Sequence, residues 1–129
     1  MICLDKPEFQ ALSKVPRLNL INSCMGYKSA NLIGSISKDG NYNLAVFSSI
    51  THLGSDPALL GFILRPTTVP RHTYSNIKET QYFSINAISE SFIQKAHQTS
   101  ANYDQDVNEF EVTGIEMETK TDSSVPFVK

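Results

Sequence analysis

The dipeptide Asp39-Gly40 restricts the folding of this chain more than any other feature, because it joins two runs of residues typical of β-strands. The runs are 30–37 (ANLIGSIS) and 42–47 (YNLAVF). Asp-Gly between two such runs is a strong hairpin signal, since glycine accepts the positive φ angle that tight hairpin turns require. We therefore predict a β-hairpin over residues 31–47.

The returning arm of this hairpin leads into a stretch rich in small hydroxyl residues, 48–52 (SSITH). A turn at 54–57 and an apolar run at 58–64 (ALLGFIL) follow. The hydroxyl-rich stretch offers several hydrogen-bond donors and few bulky groups, which suits a phosphate or the polar tail of a cofactor. Such clusters more commonly satisfy the backbone groups of a turn, so both interpretations stay open here. The apolar run has no polar alternation and predicts a strand buried on both faces.

Short helices are predicted on both sides of this central stretch. An aspartate N-cap and a proline in the first turn favour a helix over 5–14. Residues 71–80 (RHTYSNIKET) and 89–99 (SESFIQKAHQT) also have helical spacing behind a hydroxyl cap. In the helix over 71–80, Thr73 is the expected cap and Tyr74 is expected to face inward.

The remaining apolar patterns predict strands at 17–24, 81–88, 110–117 and 125–128. Several short strands, one hairpin and a few small helices describe a mostly β fold, a barrel or sandwich with helical insertions. We expect one domain over residues 1–129. A doubly wound α/β fold is disfavoured, since neither a dinucleotide-binding nor a P-loop glycine motif occurs in the sequence.

Charge and composition argue against several classes of function. The net charge is −2 at pH 7 and no run of Lys or Arg occurs, so we expect no nucleic-acid partner. The longest apolar run is too short to cross a bilayer, and no apolar run of signal-peptide length begins the chain. We therefore expect a cytoplasmic protein with no membrane partner. The histidines and the two cysteines match no metal-binding spacing, so no metal site is expected.

Seven blocks of sequence, in this order, resemble the flavin reductase-like, FMN-binding split-barrel proteins. The resemblance spans roughly residues 15–128. Each block alone is weak, and their order and spacing together are fairly specific. The blocks are NLAVFSS at 43–49, SDPALLGFILRP at 55–66, RHTYSNI at 71–77, YFSINAI at 82–88, AHQTSANY at 96–103, DVNEF at 106–110 and TGIE at 113–116.

The resemblance implies a six-stranded split β-barrel that binds FMN, in a homodimer with its flavin sites near the subunit interface. It implies an NAD(P)H-dependent oxidoreductase that passes electrons through bound FMN to free flavin or another acceptor. Family members continue well beyond the equivalent of Lys129, so we expect the chain to lack the family's C-terminal part. The cofactor-binding residues that it implies are Phe47, Ser48, Ser49, Ile50, Arg65, Arg71, His72 and Thr73, and we add His52 as a further candidate for the flavin pocket.

Elementary chemistry agrees with a phosphate site at the start of the helix over 71–80. A phosphate dianion needs several donors at once, and hydroxyls, backbone N–H groups and arginines supply them. A helix N-terminus adds free N–H groups and a favourable dipole, which makes Arg71 the better candidate. Arg65 is equally well explained as a surface charge at a strand end. Redox chemistry belongs to the flavin, so no catalytic residue is assigned.

Two other functions fit the same pattern. One is a non-catalytic module that binds flavin for storage or sensing, and the other is an inactive truncated fragment. No fingerprint distinguishes NADH from NADPH. The acidic residues Asp104, Asp106 and Glu109 lack the glycine and terminal glutamate of a calcium loop, so we interpret them as a solvated segment.

Overall fold

The structure, a computed structural model, describes residues 4–129. A 3-10 turn, Glu90–Phe92, precedes the fourth of its five helices. The helices are α1 Lys6–Ala11, α2 Lys14–Cys24, α3 His72–Thr80, α4 Ile93–Gln98 and α5 Glu109–Thr113. The strands are β1 Asn31–Ile36, β2 Tyr42–Phe47, β3 Thr51–Ser55, β4 Ala58–Gly61, β5 Ser84–Ala87, β6 Met117–Lys120 and β7 Ser123–Val128.

Strands β1 and β2 form the predicted hairpin. They pair antiparallel from Asn31 opposite Phe47 to Ile36 opposite Tyr42. Gly40 in the connecting turn has a φ of +88°, the conformation for which glycine was expected. Strand β5 pairs antiparallel with the other edge of β1, so the sheet has the order β2-β1-β5.

Strand β7 of the β6–β7 hairpin packs across β1 and β5 without a backbone ladder to either strand among the described residues. Side chains make this connection instead. The Ser84 hydroxyl donates to the Pro126 carbonyl at 2.5 Å, and the Val128 N–H donates to Asn86 Oδ1 at 3.0 Å. Gly34 permits the close crossing, because a Cβ atom there would collide with the Pro126 carbonyl. The seven described strands form three antiparallel sheets that do not close into one barrel, an arrangement compatible with the predicted split barrel although the resemblance implied six strands. Helices are as prominent as strands.

The hydrophobic core lies between the hairpin and the helices that follow β5. Leu32 and Leu44 come from β1 and β2, and Ala96 and Phe110 come from α4 and α5. All four are almost completely buried. Burial of a large apolar side chain contributes about 1.5–3 kcal/mol, so these contacts hold α4 and α5 against the sheet.

Two strand predictions were wrong. Residues 17–24 lie in α2, where Pro16 occupies the first turn and blocks no helical hydrogen bond. Residues 110–117 contain most of α5 and only the first residue of β6. The side chain of Asn108 caps α5, and Gly114 ends it with a φ of +65°. A short apolar run is compatible with either a helix or a strand, so the run at 110–117 alone did not predict the helix. The capping residues Asn108 and Gly114 set the two ends of α5.

The prediction of a strand buried on both faces over 58–64 was also wrong. Only Ala58–Gly61 is β-strand, and its first three residues are exposed in a hairpin with β3. Helix α3 begins one residue later than expected, with Arg71 at the N-cap. Thr73 bonds to Asn43 rather than capping the helix, and Tyr74 is exposed. Within residues 4–129, no helix is long and apolar enough to cross a membrane.

Candidate functional site

The first part of the predicted site is the loop at 48–50, which directly follows β2. The hydroxyl of Ser49 accepts a hydrogen bond from the Ile63 N–H and donates one to the Ile63 carbonyl, both at 3.1 Å. Ser49 therefore fixes the loop to the chain segment that follows β4. Ser48 is exposed and makes no side-chain hydrogen bond to the described residues, so its hydroxyl is free for a ligand.

A row of three aromatic rings supports this loop. The ring centroids of Phe47 and Phe62 lie 5.3 Å apart, and those of Phe62 and Phe83 lie 5.2 Å apart, both edge to face. The row joins the end of β2 to the segments after β4 and before β5, and so forms an apolar wall next to the loop. The sequence analysis proposed Phe47 as a cofactor-binding residue but did not connect it with Phe62 and Phe83. An aromatic residue beside an apolar run does not show which other rings it will contact.

The second part of the predicted site is the start of α3, at residues 71–73. A buried polar network fastens it to the sheet. Asn43 Nδ2 donates to Thr73 Oγ1 at 3.0 Å and to Ser35 Oγ at 3.3 Å. Asn76 Nδ2 donates to the same Ser35 hydroxyl at 3.2 Å. Two amides and two hydroxyls thus fix the helix start against β1 and β2.

Arg71 carries an unusual feature at this helix start. Its Nε is buried and has no hydrogen-bond partner among residues 4–129. Leaving a buried donor unsatisfied costs about 1–3 kcal/mol, and more for a charged group. The first turn of α3 contains no acidic residue. The guanidinium and the free N–H groups of the first turn are therefore suited to an anion.

Glu109 is a buried acid that sequence reasoning placed in a solvated segment, and that interpretation was wrong. The residue is 5% exposed, and its Oε2 accepts a hydrogen bond from the Leu44 N–H at 3.0 Å. Burial raises the pKa of Glu109, while the hydrogen bonds from Leu44 and its own N–H and the charge of His72 partly lower it. Its partner is 65 residues away in sequence, so no local pattern identifies the contact.

The two parts of the site lie at different levels of β2. The loop at 48–50 follows Phe47, whereas the helix start is bonded to Asn43. Four strand residues correspond to about 13 Å. The aromatic ring of Phe47 and the helix start at Arg71 are therefore connected to β2 at separate points along the strand.

The two remaining predicted residues lie on the exposed hairpin region. His52 is exposed in β3, and its Nε2 lies 3.2 Å from the Ser55 hydroxyl. Arg65 is exposed in the segment after β4. No hydrogen bond joins either side chain to the helix start within the described part of the chain. Their assignment to the site stays a prediction. Among residues 4–129, no cluster of three His, Cys, Asp or Glu side chains could hold a metal ion.

Comparison with known proteins identifies the fold of this site. The model of the family described as "Flavin reductase like domain" matches residues 27–129. The chain belongs to this family. The matched region begins after α2. It includes the β1–β2 hairpin, the loop at 48–50 and the start of α3.

Several proteins are similar to this flavin reductase like domain. A split-barrel protein from Shewanella frigidimarina NCIMB 400, assigned to the flavin reductases, is 46% identical with a TM-score of 0.94. The similarity covers 100% of this chain and 64% of that protein. An uncharacterised protein of Aquifex aeolicus (strain VF5) is 31% identical over 99 residues, which are 75% of this chain and 50% of that protein.

Two further structures share the fold at lower identity. Nitrilotriacetate monooxygenase component B from Bacillus cereus is 21% identical with a TM-score of 0.82, over 100% of this chain and 63% of that one. Flavoredoxin of Desulfovibrio vulgaris (Miyazaki F) is 21% identical with a TM-score of 0.69, over 78% and 54%. The chain thus spans about one half to two thirds of the length of these proteins.

Proposed function

We propose that the protein is a flavin reductase-like oxidoreductase that binds FMN between the loop at 48–50 and the start of α3. The observation that carries the proposal is the buried Nε of Arg71, which has no hydrogen-bond partner among residues 4–129, at the start of a helix whose own first turn contains no acidic residue. Membership of the flavin reductase like domain family supports flavin as the ligand. The elongated arrangement of an aromatic wall and an anion site matches a flavin ring that carries a ribityl phosphate.

Each part of the site has a distinct role in this proposal. The isoalloxazine ring lies beside Phe47 and the backbone of residues 48–50, where aromatic contact orients it. Arg71, His72 and the N–H groups of the first turn of α3 hold the phosphate. The Thr73 hydroxyl accepts from Asn43 and keeps its own proton for donation. The Ser48 hydroxyl supplies a further donor, and Ile50, His52 and Arg65 are additional candidates.

When bound, flavin supplies the redox chemistry, since it can accept a hydride and pass electrons onward. The residues of this chain bind and orient it and exclude water. The proposed electron donor is NADH or NADPH, and the proposed acceptor is free flavin or another oxidant. A cytoplasmic location stays a prediction from the sequence.

We also propose that the working form is a homodimer. The structure exposes many large apolar side chains, including Met25, Leu60 and Ile63 at 66%, 58% and 76% exposure. Exposed apolar surface on this scale is typical of proteins that associate. A second copy of the chain is the partner that the family resemblance implies.

Titration of the purified protein with FMN, followed by absorption and flavin fluorescence, tests the binding step. We expect saturable binding with a perturbed flavin spectrum. Steady-state oxidation of NADH and of NADPH by the FMN-loaded protein then tests the activity. Binding without NAD(P)H oxidation would support the alternative of a non-catalytic flavin module. No retention of FMN by a folded protein would contradict the proposal and favour the inactive fragment.

A further inference from the structure

The start of α3 has an acidic neighbour that comes from a different part of the chain. We call Arg71, His72 and the free N–H groups of the first turn of α3 the anion site. This turn contains no acidic residue of its own. Glu109, the first residue of α5, is almost completely buried and is bonded to β2. The helix start and a buried acid are thus both attached to the same strand.

Two consecutive residues of β2 hold the anion site and the acid. The Asn43 side chain donates to Thr73 Oγ1 at 3.0 Å, which fixes the first turn of α3. The Leu44 N–H donates to Glu109 Oε2 at 3.0 Å, which fixes the carboxyl group. The Cα atoms of consecutive residues lie about 3.8 Å apart. The carboxyl group and the first turn of α3 are therefore anchored at neighbouring points of one strand.

The environment of Glu109 favours its neutral form more than water would. Burial removes the carboxylate from water and penalises its charge. The N–H groups of Leu44 and of Glu109 itself stabilise the charged form, as does the positive charge of His72. Burial outweighs these effects, so the pKa of Glu109 is raised above its usual value of 4.5. The protonation of this buried carboxyl group is therefore sensitive to any further charge placed nearby.

His72 connects the charge of Glu109 with the anion site. It is the first residue of α3, and its charge acts on the Glu109 carboxylate. Arg71, its neighbour in the chain, is a permanent cation. The other titratable side chains on the elements around Glu109 are exposed or packed against the core. They are Tyr42 at the core and the exposed Tyr74, Lys78, Glu79, Lys95, His97, Asp106 and Glu111.

A phosphate at the anion site and an ionised Glu109 oppose each other. Both are negative, and charges inside a protein interact more strongly than in water because the effective dielectric constant is lower. A bound phosphate should therefore favour the protonated carboxyl group. Linkage is reciprocal, so ionisation of Glu109 should lower the affinity for the phosphate by the same factor.

We propose that Glu109 makes the anion site sensitive to pH, so that a phosphate-bearing ligand binds most tightly when the Glu109 carboxyl group is neutral and less tightly when it is ionised. The proposal rests on FMN binding in the proposed function and adds a residue that regulates it. Glu109 acts through its charge and does not touch the ligand. The protein therefore takes up a proton at Glu109 as the phosphate binds.

Fluorescence titrations with FMN at several pH values test the charge of Glu109. Glu109→Gln keeps an acceptor for the Leu44 N–H and cannot ionise. At pH 8 this variant should bind FMN at least threefold more tightly than the parent, and the advantage should shrink as the pH is lowered toward 5. The phosphate of FMN itself titrates at about pH 6. This affects both proteins alike, so the ratio of their dissociation constants reports Glu109.

Riboflavin and a second acid provide the controls. Riboflavin lacks the phosphate, so Glu109→Gln should leave its affinity nearly unchanged at every pH. Glu111→Gln is the matched variant, because it removes an exposed acid from the same helix, and it should leave FMN affinity nearly unchanged. Circular dichroism checks that each variant is folded. A ratio for FMN that does not vary with pH, or an equal gain for riboflavin, would overturn the proposal.

Carbon NMR of the Glu109 carboxyl group tests the coupling directly in the parent protein. The pKa of Glu109 should rise when FMN saturates the site and should not change with riboflavin. In the ligand-free protein, His72→Gln should also raise the pKa of Glu109, because the charge of His72 lowers it. A pKa of Glu109 that FMN leaves unchanged would show that the carboxyl group and the phosphate do not interact.

Inorganic phosphate separates this proposal from the proposed function. If the folded protein binds no flavin, the proposed function fails and phosphate becomes the probe of the anion site. A rise in the pKa of Glu109 with phosphate, and not with chloride at the same ionic strength, would support the coupling on its own. No rise with either ion would overturn it.

Discussion

The carboxylate of Glu109 accepts a hydrogen bond from the backbone N–H of Leu44 at 3.0 Å. Leu44 lies in β2, which is the edge strand of the three-stranded sheet. Its N–H points away from β1, and a buried N–H without an acceptor is costly. Glu109 thus completes the edge of the strand that leads into the loop at 48–50, and it links α5 to the candidate site.

Glu109 should make stability depend on pH. Burial raises its pKa in the folded protein above the unfolded value of 4.5. Stability from this group is therefore fully present below the unfolded pKa and is lost as pH rises through the folded pKa. Glu109→Gln keeps an acceptor for Leu44 and cannot titrate, so its stability relative to the parent should increase as pH rises. Urea unfolding between pH 4 and pH 8 measures this.

Glu109→Ala is the comparison variant, because it removes the acceptor as well as the charge. It should destabilise the fold by about 1–3 kcal/mol at acidic pH, where the parent side chain is neutral. An unchanged pH slope in Glu109→Gln would show that the charge of Glu109 has no role in stability.

Arg71 and Ser48 should both contribute to FMN affinity. Arg71→Ala and Ser48→Ala should each weaken FMN binding by about 1–3 kcal/mol, the range for a lost charge-assisted hydrogen bond. Fluorescence titration measures the affinity. Lys78→Ala is the matched control, because Lys78 is a basic residue in the last turn of the same helix, and it should have little effect. Unchanged affinity in both test variants would remove the phosphate assignment.

Ser49 should hold the loop at 48–50 in place through its two hydrogen bonds to Ile63. Ser49→Ala removes both hydrogen bonds to Ile63, so the Ile63 amide should exchange its hydrogen faster with solvent. Because both groups are partly exposed, the expected loss of global stability is small, about 0.5–1.5 kcal/mol per bond. Ser49→Thr retains the hydroxyl and should restore slow exchange. Equal exchange rates at Ile63 in the Ala variant and the parent would contradict this role.

Gly34 should not tolerate a side chain. A Cβ at this position would collide with the Pro126 carbonyl and lie 2.5 Å from the Ser84 hydroxyl. Gly34→Ala should therefore destabilise the fold by about 1–3 kcal/mol, as overpacking does. Gly61→Ala is the control within a strand, because its Cβ would meet only the mobile end of Leu53. Urea midpoints should fall for Gly34→Ala and stay nearly constant for Gly61→Ala.

The sequence predicted correctly the elements whose formation depends on residues close together in the chain. The Asp39-Gly40 turn gave the β1–β2 hairpin, and the Asp5 cap gave α1. Residues 17–24 and 110–117 failed as strands because short apolar runs lack a decisive period. The exposed β4 failed because apolar composition predicts burial without identifying the covering surface.

The residues of the candidate site also fall into two groups, those marked by local sequence features and those whose partners are distant in sequence. Phe47, Ser48 and Arg71 could be proposed from the sequence because a strand end and a helix start are local features, and their assignment to the site stays a prediction. Glu109 was missed because its partner Leu44 is distant in sequence. The polar network around Ser35 was missed for the same reason, since its partners come from β2 and α3.

The junction between β5 and β7 is built without backbone pairing among the described residues. Because Ser84 and Asn86 make it through their side chains, loss of these contacts would leave the backbone pairing of the sheet β2-β1-β5 intact. Val125 and Pro126 of β7 are buried, so the β6–β7 hairpin is held by burial together with these side-chain bonds. The strand that leads into the candidate site therefore depends on the hairpin for cover and not for its ladder.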